Sequence, residues 1–365
     1  MNPKLIRSDI DNIEAYKPGK PIQEVKRELG IKDVIKLASN ENPLGPSPKA
    51  VKAIRKVLEE ISYYPEGTCF YLKQKLARKL KISEKNLMFG NGSDELIDVI
   101  LKTIKEPGQE IITADVTFVE YKICGTINGY TVKTIPLNDF TYDLKKIKEA
   151  ITPQTRVIFI ANPNNPTGTY VNTSQVAQFL EGLPEHVLVV FDEAYTEYVE
   201  EKDFPKLLDK INSENLIILR TFSKIYGLAG LRVGTMIASE DFIKYAERVR
   251  QPFNVNLLAQ VAAEHALDDD AFVKKSKKLV IREKEFLYNA FEKLGIWFKK
   301  SAGNFIFIRF NAGTGKIFKE LLDRGIIIRE MGQCKTNNYA RITIGTRSQN
   351  LRLIRALKET KGAYR

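Results

Sequence analysis

The chain has 365 residues, 43% hydrophobic and 28% charged, which is the balance of a globular protein long enough for one large domain and a smaller one. Two histidines and three scattered cysteines (Cys69, Cys124, Cys334) leave no histidine-based metal site, no histidine-dependent triad and no disulfide framework to expect. The net charge of +12 (57 basic minus 45 acidic) comes from lysines interleaved with acids, as in "REKEFLYNAFEKLG", so solvated helix faces are expected and a nucleic-acid partner is not.

The opening "MNPKLIRSDIDNIEAY" has no apolar h-region, and no run in the chain approaches the roughly 20 apolar residues that span a bilayer, so a cytoplasmic protein without membrane contact is expected. Residues 1–40 have mixed character and are expected to pack against a C-terminal domain. From about 85 to 240, short apolar runs alternate with amphipathic stretches. The runs are "EIITA" (110–114), "RVIFIA" (156–161), "HVLVVFD" (186–192), "NLIILR" (215–220) and "VGTMIA" (233–238). They show little alternation, as expected of strands covered on both faces. Helical periods such as "SDELIDVILKTI" (93–104) and "TSQVAQFLEGL" (173–183) lie between them. This order predicts an α/β fold with a doubly wound, mostly parallel sheet in a large domain, 41–255. A long charged helical stretch (256–294) then leads into "WFKKSAGNFIFIRF", "GIIIRE" and "ARITIGT", which predict a smaller α+β domain, 256–365.

In an open α/β sheet, ligands sit beyond the carboxyl ends of strands, and the distinctive residues here follow strands one after another. "LMFGNGSDELIDVI" (87–100) is a strand, a glycine turn and a helix whose first amides could hold a phosphate near Ser93 and Asp94; a capped turn is the plainer alternative. "ANPNNPTGTY" (161–170) displays Asn164 and Asn165 on a turn stiffened by prolines, which suits either a structural loop or a fixed hydrogen bond to a ligand. "VLVVFDEAY" (187–195) ends a buried strand in Asp192, with Glu193 and Tyr195 after it. A carboxylate there is costly unless it pairs with a cation or is hydrogen-bonded. In "RTFSKIYGLAGLRVG" (220–234), Lys224 stands between an apolar run and a glycine-rich segment that carries Arg232. As a set, these groups could bind a phosphorylated pyridine aldehyde. The lysine bonds to the aldehyde carbon, the aspartate keeps the ring nitrogen protonated, and serine, arginine and backbone amides hold the phosphate.

Nearly the whole chain resembles the fold-type-I aminotransferases that depend on pyridoxal phosphate, and more narrowly the histidinol-phosphate aminotransferase family. The resemblance rests on "AYKPGKP", "KLASNENPLGPSP", "YYPEG", "GNGSDE", "NPNNPTG", "FDEAY", "SKIYGLAGLRVG", "IIIRE" and "ARITIGT". It implies pyridoxal 5'-phosphate as cofactor and Lys224 as the lysine that carries it. Asp192 would face the pyridinium nitrogen, and Asn165 and Tyr195 the phenolic oxygen. Ser93, Asp94, Ser223 and Arg232 would lie at the phosphate, and Phe118 against the ring. The resemblance also implies a homodimer in which Tyr64 crosses to the partner's cofactor phosphate, although Tyr63 stands where the family often has arginine. Arg341 would read the α-carboxylate, and Arg329 the distal phosphate, with Tyr16 near it and Asn304 close to the substrate. The implied reaction exchanges the amino group of histidinol phosphate with 2-oxoglutarate. An aromatic aminotransferase and a threonine-phosphate decarboxylase of the same fold are the alternatives.

Overall fold

The computed structural model describes residues 7, 10, 13, 15, 19–104, 106, 108–212, 215–310, 314–332 and 338–360. Twelve strands are described among them: β1 (Ile35–Leu37), β2 (Leu87–Gly90), β3 (Glu110–Ala114), β4 (Thr131–Ile135), β5 (Thr155–Ala161), β6 (Leu188–Asp192), β7 (Leu216–Thr221), β8 (Gly234–Ile237), β9 (Trp297–Lys299), β10 (Phe305–Arg309), β11 (Ile326–Glu330) and β12 (Tyr339–Thr343). Seven form one sheet in the order β2-β8-β7-β6-β5-β3-β4. Within it, β7, β6, β5, β3 and β4 run parallel, while β8 is antiparallel to both of its neighbours. The apolar runs of β5, β6 and β7 fill its middle: Val157 to Ile160, Val189 to Phe191 and Leu216 to Leu219 are all buried. Burial on both faces explains why these strands read as continuous apolar segments.

The second sheet has five strands in the order β1-β11-β12-β10-β9. Its first strand comes from the N-terminal part of the chain, and β1 pairs parallel with β11, Ile35 opposite Ile326. The stretch 256–294, read as one helical run, is two helices, Leu257–Ala266 and Asp270–Leu294. The break has a local cause. The Asp269 side chain accepts from the Phe272 amide to cap the second helix, and its other oxygen accepts from the Ser47 hydroxyl at 2.6 Å. Strand β4 was not among the expected runs. It is an edge strand with no buried residue, so "TVKTI" carries no apolar signal. Among the described residues, no helix is long and apolar enough to cross a membrane.

Candidate active site

The central strands β5, β6 and β7 are parallel neighbours, so their carboxyl ends open side by side. A cleft of about 260 Å³ lies there, and the second sheet closes its far side. Each central strand delivers one functional segment to it. Strand β5 ends at Ala161 and leads to Asn165. Strand β6 ends in Asp192 and leads to Tyr195. Strand β7 ends at Thr221 and leads to Ser223 and Lys224. From the second sheet, Arg329 on β11 and Arg341 on β12 face the same space, directly opposite each other in the strand register.

The turn carrying Lys224 is held by tight packing. The Ser223 amide donates to Thr221 Oγ1 at 3.1 Å, and the Gly227 amide donates to the Lys224 carbonyl at 3.1 Å. Gly227 has φ +70°, and a Cβ there would overlap the Gly45 carbonyl oxygen. Glycine is therefore required where this turn meets the loop from residues 42 to 46. The Lys224 amino group lies 5.7 Å from the centre of the Tyr195 ring.

Asp192 is 6% exposed. Its Oδ2 accepts from the Tyr121 hydroxyl at 2.7 Å and its Oδ1 from the Ala194 amide at 3.0 Å. Burial pushes its carboxyl up from 3.8 to about 6, against the opposing pull of those hydrogen bonds and of the Lys224 charge. The neighbouring Glu193 points away from the cleft and is paired with Arg220 at 2.7 Å. Adjacent acids thus have separate tasks, one facing the cleft and one tying β6 to β7.

At the end of β2, the helix Gly92–Ile104 begins with Ser93 and Asp94 at the cleft wall. Arg232, in the left-handed conformation at φ +57°, lays its guanidinium across that helix start and donates to Asp94 Oδ2 at 2.7 Å. A side chain at Gly92 would overlap this guanidinium, and a Cβ at Gly234 would come within 2.6 Å of the Ser93 amide nitrogen. The helix start, the cation and the hydroxyl-bearing Ser223 form a cradle for an anion. Phe118 lines another wall, its ring edge-on to Tyr121 at 5.6 Å.

The two asparagines of the proline turn separate. Asn165 faces the cleft, where its Oδ1 accepts from Arg341 Nη1 at 2.5 Å. Asn164 turns inward: its Oδ1 accepts from the Thr117 hydroxyl at 2.8 Å and its amide donates to the Val116 carbonyl, bracing the loop that carries Phe118. Asn304 stands behind the cleft, fully buried, with Nδ2 donating to the Asn40 carbonyl at 3.0 Å. Tyr64 lies away from this chain's cleft, 83% exposed and stacked on Phe253 at 4.8 Å. Tyr16 lies outside the described residues. The residue pattern singled out neither Tyr121 nor Asn40. Asn40 lies within the quoted "KLASNENPLGPSP", and its left-handed backbone (φ +54°) is the feature that marks it.

The sequence model of the family described as "Aminotransferase class I and II" matches residues 32–357. This chain belongs to that family. The aminotransferase is 49% identical over 355 residues to a histidinol-phosphate aminotransferase from Moorella thermoacetica, covering 97% of this chain and 92% of the relative. It is 45% identical to one from Caldicellulosiruptor saccharolyticus, covering 97% and 99%. Its fold matches the crystal structure of histidinol-phosphate aminotransferase from Sinorhizobium meliloti in complex with pyridoxal-5'-phosphate, with a TM-score of 0.88 at 26% identity, covering 97% of this chain and 96% of that one. The aminotransferase is a pyridoxal-phosphate-dependent enzyme, and its cleft suits that cofactor on physical grounds. A desolvated carboxylate awaits a cation, an anion cradle lies at a helix start, and a lysine and an aromatic ring line the space between.

Proposed function

We propose that this chain exchanges the amino group of histidinol phosphate with 2-oxoglutarate, giving imidazole acetol phosphate and glutamate in histidine biosynthesis. The observation that carries the reading is the placement of Lys224 and Asp192 beyond adjacent parallel strands, in one cleft faced by two arginines. When bound, the cofactor supplies an aldehyde that condenses with amines and a ring that draws electrons from the carbon losing its proton. Lys224 Nζ would be the amine that holds that aldehyde carbon. As a free amine it would be the group that moves a proton at the substrate's α-carbon. Asp192 would face the cofactor's ring nitrogen and favour its proton, and Tyr121 and the Ala194 amide fix its carboxylate in place. Arg232, Ser223 and the helix start at Ser93 and Asp94 would hold its phosphate, Phe118 would lie against the ring, and Asn165 and Tyr195 would meet its phenolic oxygen.

Arg341 and Arg329 bind the anionic ends of the two substrates in turn. A guanidinium fork matches both a carboxylate and a phosphate, so one pair of side chains can receive the phosphate ester in one half-reaction and the dicarboxylate in the other. The names carried by the relatives at 49% and 45% identity support histidinol phosphate as the amine. Tyr16 stays on the substrate side of the reading, whereas Asn304, buried behind the cleft, acts there only through the Asn40 carbonyl it donates to.

The working unit we infer is a homodimer with a large cofactor domain (41–255), a small domain (256–365) and an N-terminal segment (1–40) that joins the small one. Exposed apolar residues support a covered face: Ile61, Tyr63, Tyr64, Tyr71 and Tyr245 are each more than half exposed. Across that face Tyr64 would reach the partner's cofactor phosphate. A cytoplasmic location belongs to the same biosynthetic reading. The test is an assay of the purified protein with histidinol phosphate, phenylalanine or threonine phosphate, each with 2-oxoglutarate, following glutamate and carbon dioxide. Glutamate formed mainly from histidinol phosphate is expected. Equal use of phenylalanine, or carbon dioxide from threonine phosphate, would replace the reading.

A further inference from the structure

We propose that Asn40 is a positioning residue that sets the direction of the Tyr195 hydroxyl, committing its proton to the cleft. This rests on the transaminase reading above and adds to it a residue outside the strand-end motifs.

The direction follows from a chain of hydrogen bonds with one obligate starting point. The Asn40 backbone N–H can only donate, and it donates to Thr343 Oγ1 at 2.8 Å. The Thr343 hydroxyl keeps one hydrogen, which it gives to Asn40 Oδ1 at 3.1 Å. That bond fixes which way the Asn40 amide faces, so its Nδ2 points to Tyr195 and donates to the phenolic oxygen at 2.9 Å. With its oxygen accepting there, Tyr195 has its own hydrogen left to give, and among the described residues no group accepts it. Asn40 and Tyr195 both line the cleft, so that hydrogen is directed to a ligand's oxygen. The reverse amide orientation would leave the Thr343 hydrogen without an acceptor in a place where Thr343 is 3% exposed, a costly arrangement.

The surroundings hold this relay in one state. Asn40 is 1% exposed, its carbonyl accepts from Asn304 Nδ2, and its backbone sits in the left-handed region that asparagine tolerates best after glycine. Thr343 is two residues beyond Arg341 on β12. The relay therefore links the strand that reads substrate to the phenol that touches the cofactor ring.

A phenol that donates to the ring oxygen spreads that oxygen's negative charge, so a proton on the neighbouring lysine-derived nitrogen is held less tightly. Turning the donor away must raise the pH at which the bound cofactor changes colour. The holoenzyme is titrated spectroscopically as wild type, Asn40→Asp (same shape, acceptor only when ionised) and Thr343→Val (same shape, no hydroxyl), with Thr343→Ser as rescue. Each is repeated in a Tyr195→Phe background. We expect the midpoint in Asn40→Asp to rise by about one pH unit more with the Tyr195 hydroxyl than in the Tyr195→Phe background, where only the added carboxylate's own field acts, to rise by less in Thr343→Val, and to return in Thr343→Ser. Midpoints unmoved in both variants overturn the assignment, as does an equal rise with and without that hydroxyl. A wild-type protein that forms no lysine-bound cofactor band removes the transaminase reading itself, and this inference with it.

Discussion

Replacing Asp192 with asparagine separates what the carboxylate costs from what it does. Surrounded by the chain's own groups, its pKa rises from 3.8 to about 6, with burial as the main cause. That is about 2 units, or about 3 kcal/mol at 1.36 kcal/mol per unit. The sign is against folding. Between pH 3.8 and about 6 the folded protein binds this proton more tightly than the unfolded chain does, so stability falls as pH rises through that window, and the full cost is present above it. Asparagine keeps the shape and carries no charge to desolvate. Cofactor-stripped Asp192→Asn should therefore be more stable than the stripped wild type by up to about 3 kcal/mol at pH 8, and by about half as much at pH 5. With pyridoxal phosphate bound, the pyridinium repays the desolvation in the wild type only. The stability order should then reverse, and the variant's kcat should fall by at least roughly 100-fold. Urea unfolding at both pH values, with and without cofactor, reads each part. A stability difference that ignores pH, or an asparagine variant that gains nothing when stripped, would refute the desolvation argument.

Lys224→Ala should leave a folded protein that binds pyridoxal phosphate without the absorbance of a lysine-bound cofactor, and turnover should be abolished rather than KM raised; activity within tenfold of wild type would remove Lys224 from the mechanism. Arg341→Ala should weaken both half-reactions, and Arg329→Ala should hurt histidinol phosphate far more than dephosphorylated histidinol, each lost contact costing on the order of 2–5 kcal/mol in kcat/KM; equal losses for both amines would take Arg329 away from the phosphate. A mixed dimer of Lys224→Ala and Tyr64→Phe subunits should be well above either mutant homodimer in activity, because one composite site then keeps both intact groups; a mixed dimer no better than its parents would mean that Tyr64 does not act across subunits.

The parts of the site that read most clearly from sequence are those whose geometry is carried by strand ends. Asp192 and Lys224 sit where apolar runs stop, and β5, β6 and β7 bring those stops together because parallel neighbours share one carboxyl edge. What did not read is set by long-range packing. Tyr121 looks like an ordinary aromatic of the helix Glu120–Ile127, and only the folded chain brings its hydroxyl to Asp192. Asn164 and Asn165 are adjacent and chemically identical, yet Thr117 takes one inward while Arg341 meets the other in the cleft. Strand β4 carried no burial signal because it forms the sheet edge.

The cleft gathers charged groups, and each suits one end of a ligand. Asp192 is desolvated and calls for a cation. Arg329 and Arg341 stand opposite each other in the register of antiparallel strands, so two guanidinium groups line one side of the cleft, where a carboxylate or phosphate can meet them. Arg232 is held to Asp94 in a pair that is more than 40% exposed on both sides, so the pair is worth little and can yield to a phosphate. The stability that tolerates these costs comes from elsewhere. The apolar interiors of β5, β6 and β7 are wholly buried, and the Glu193–Arg220 bridge, made just beneath the cleft, ties two of those strands together without entering it. Because adjacent residues 192 and 193 divide the two tasks, a substitution at Glu193 should lower stability and move Asp192 only indirectly, whereas one at Asp192 changes the chemistry and relieves the fold.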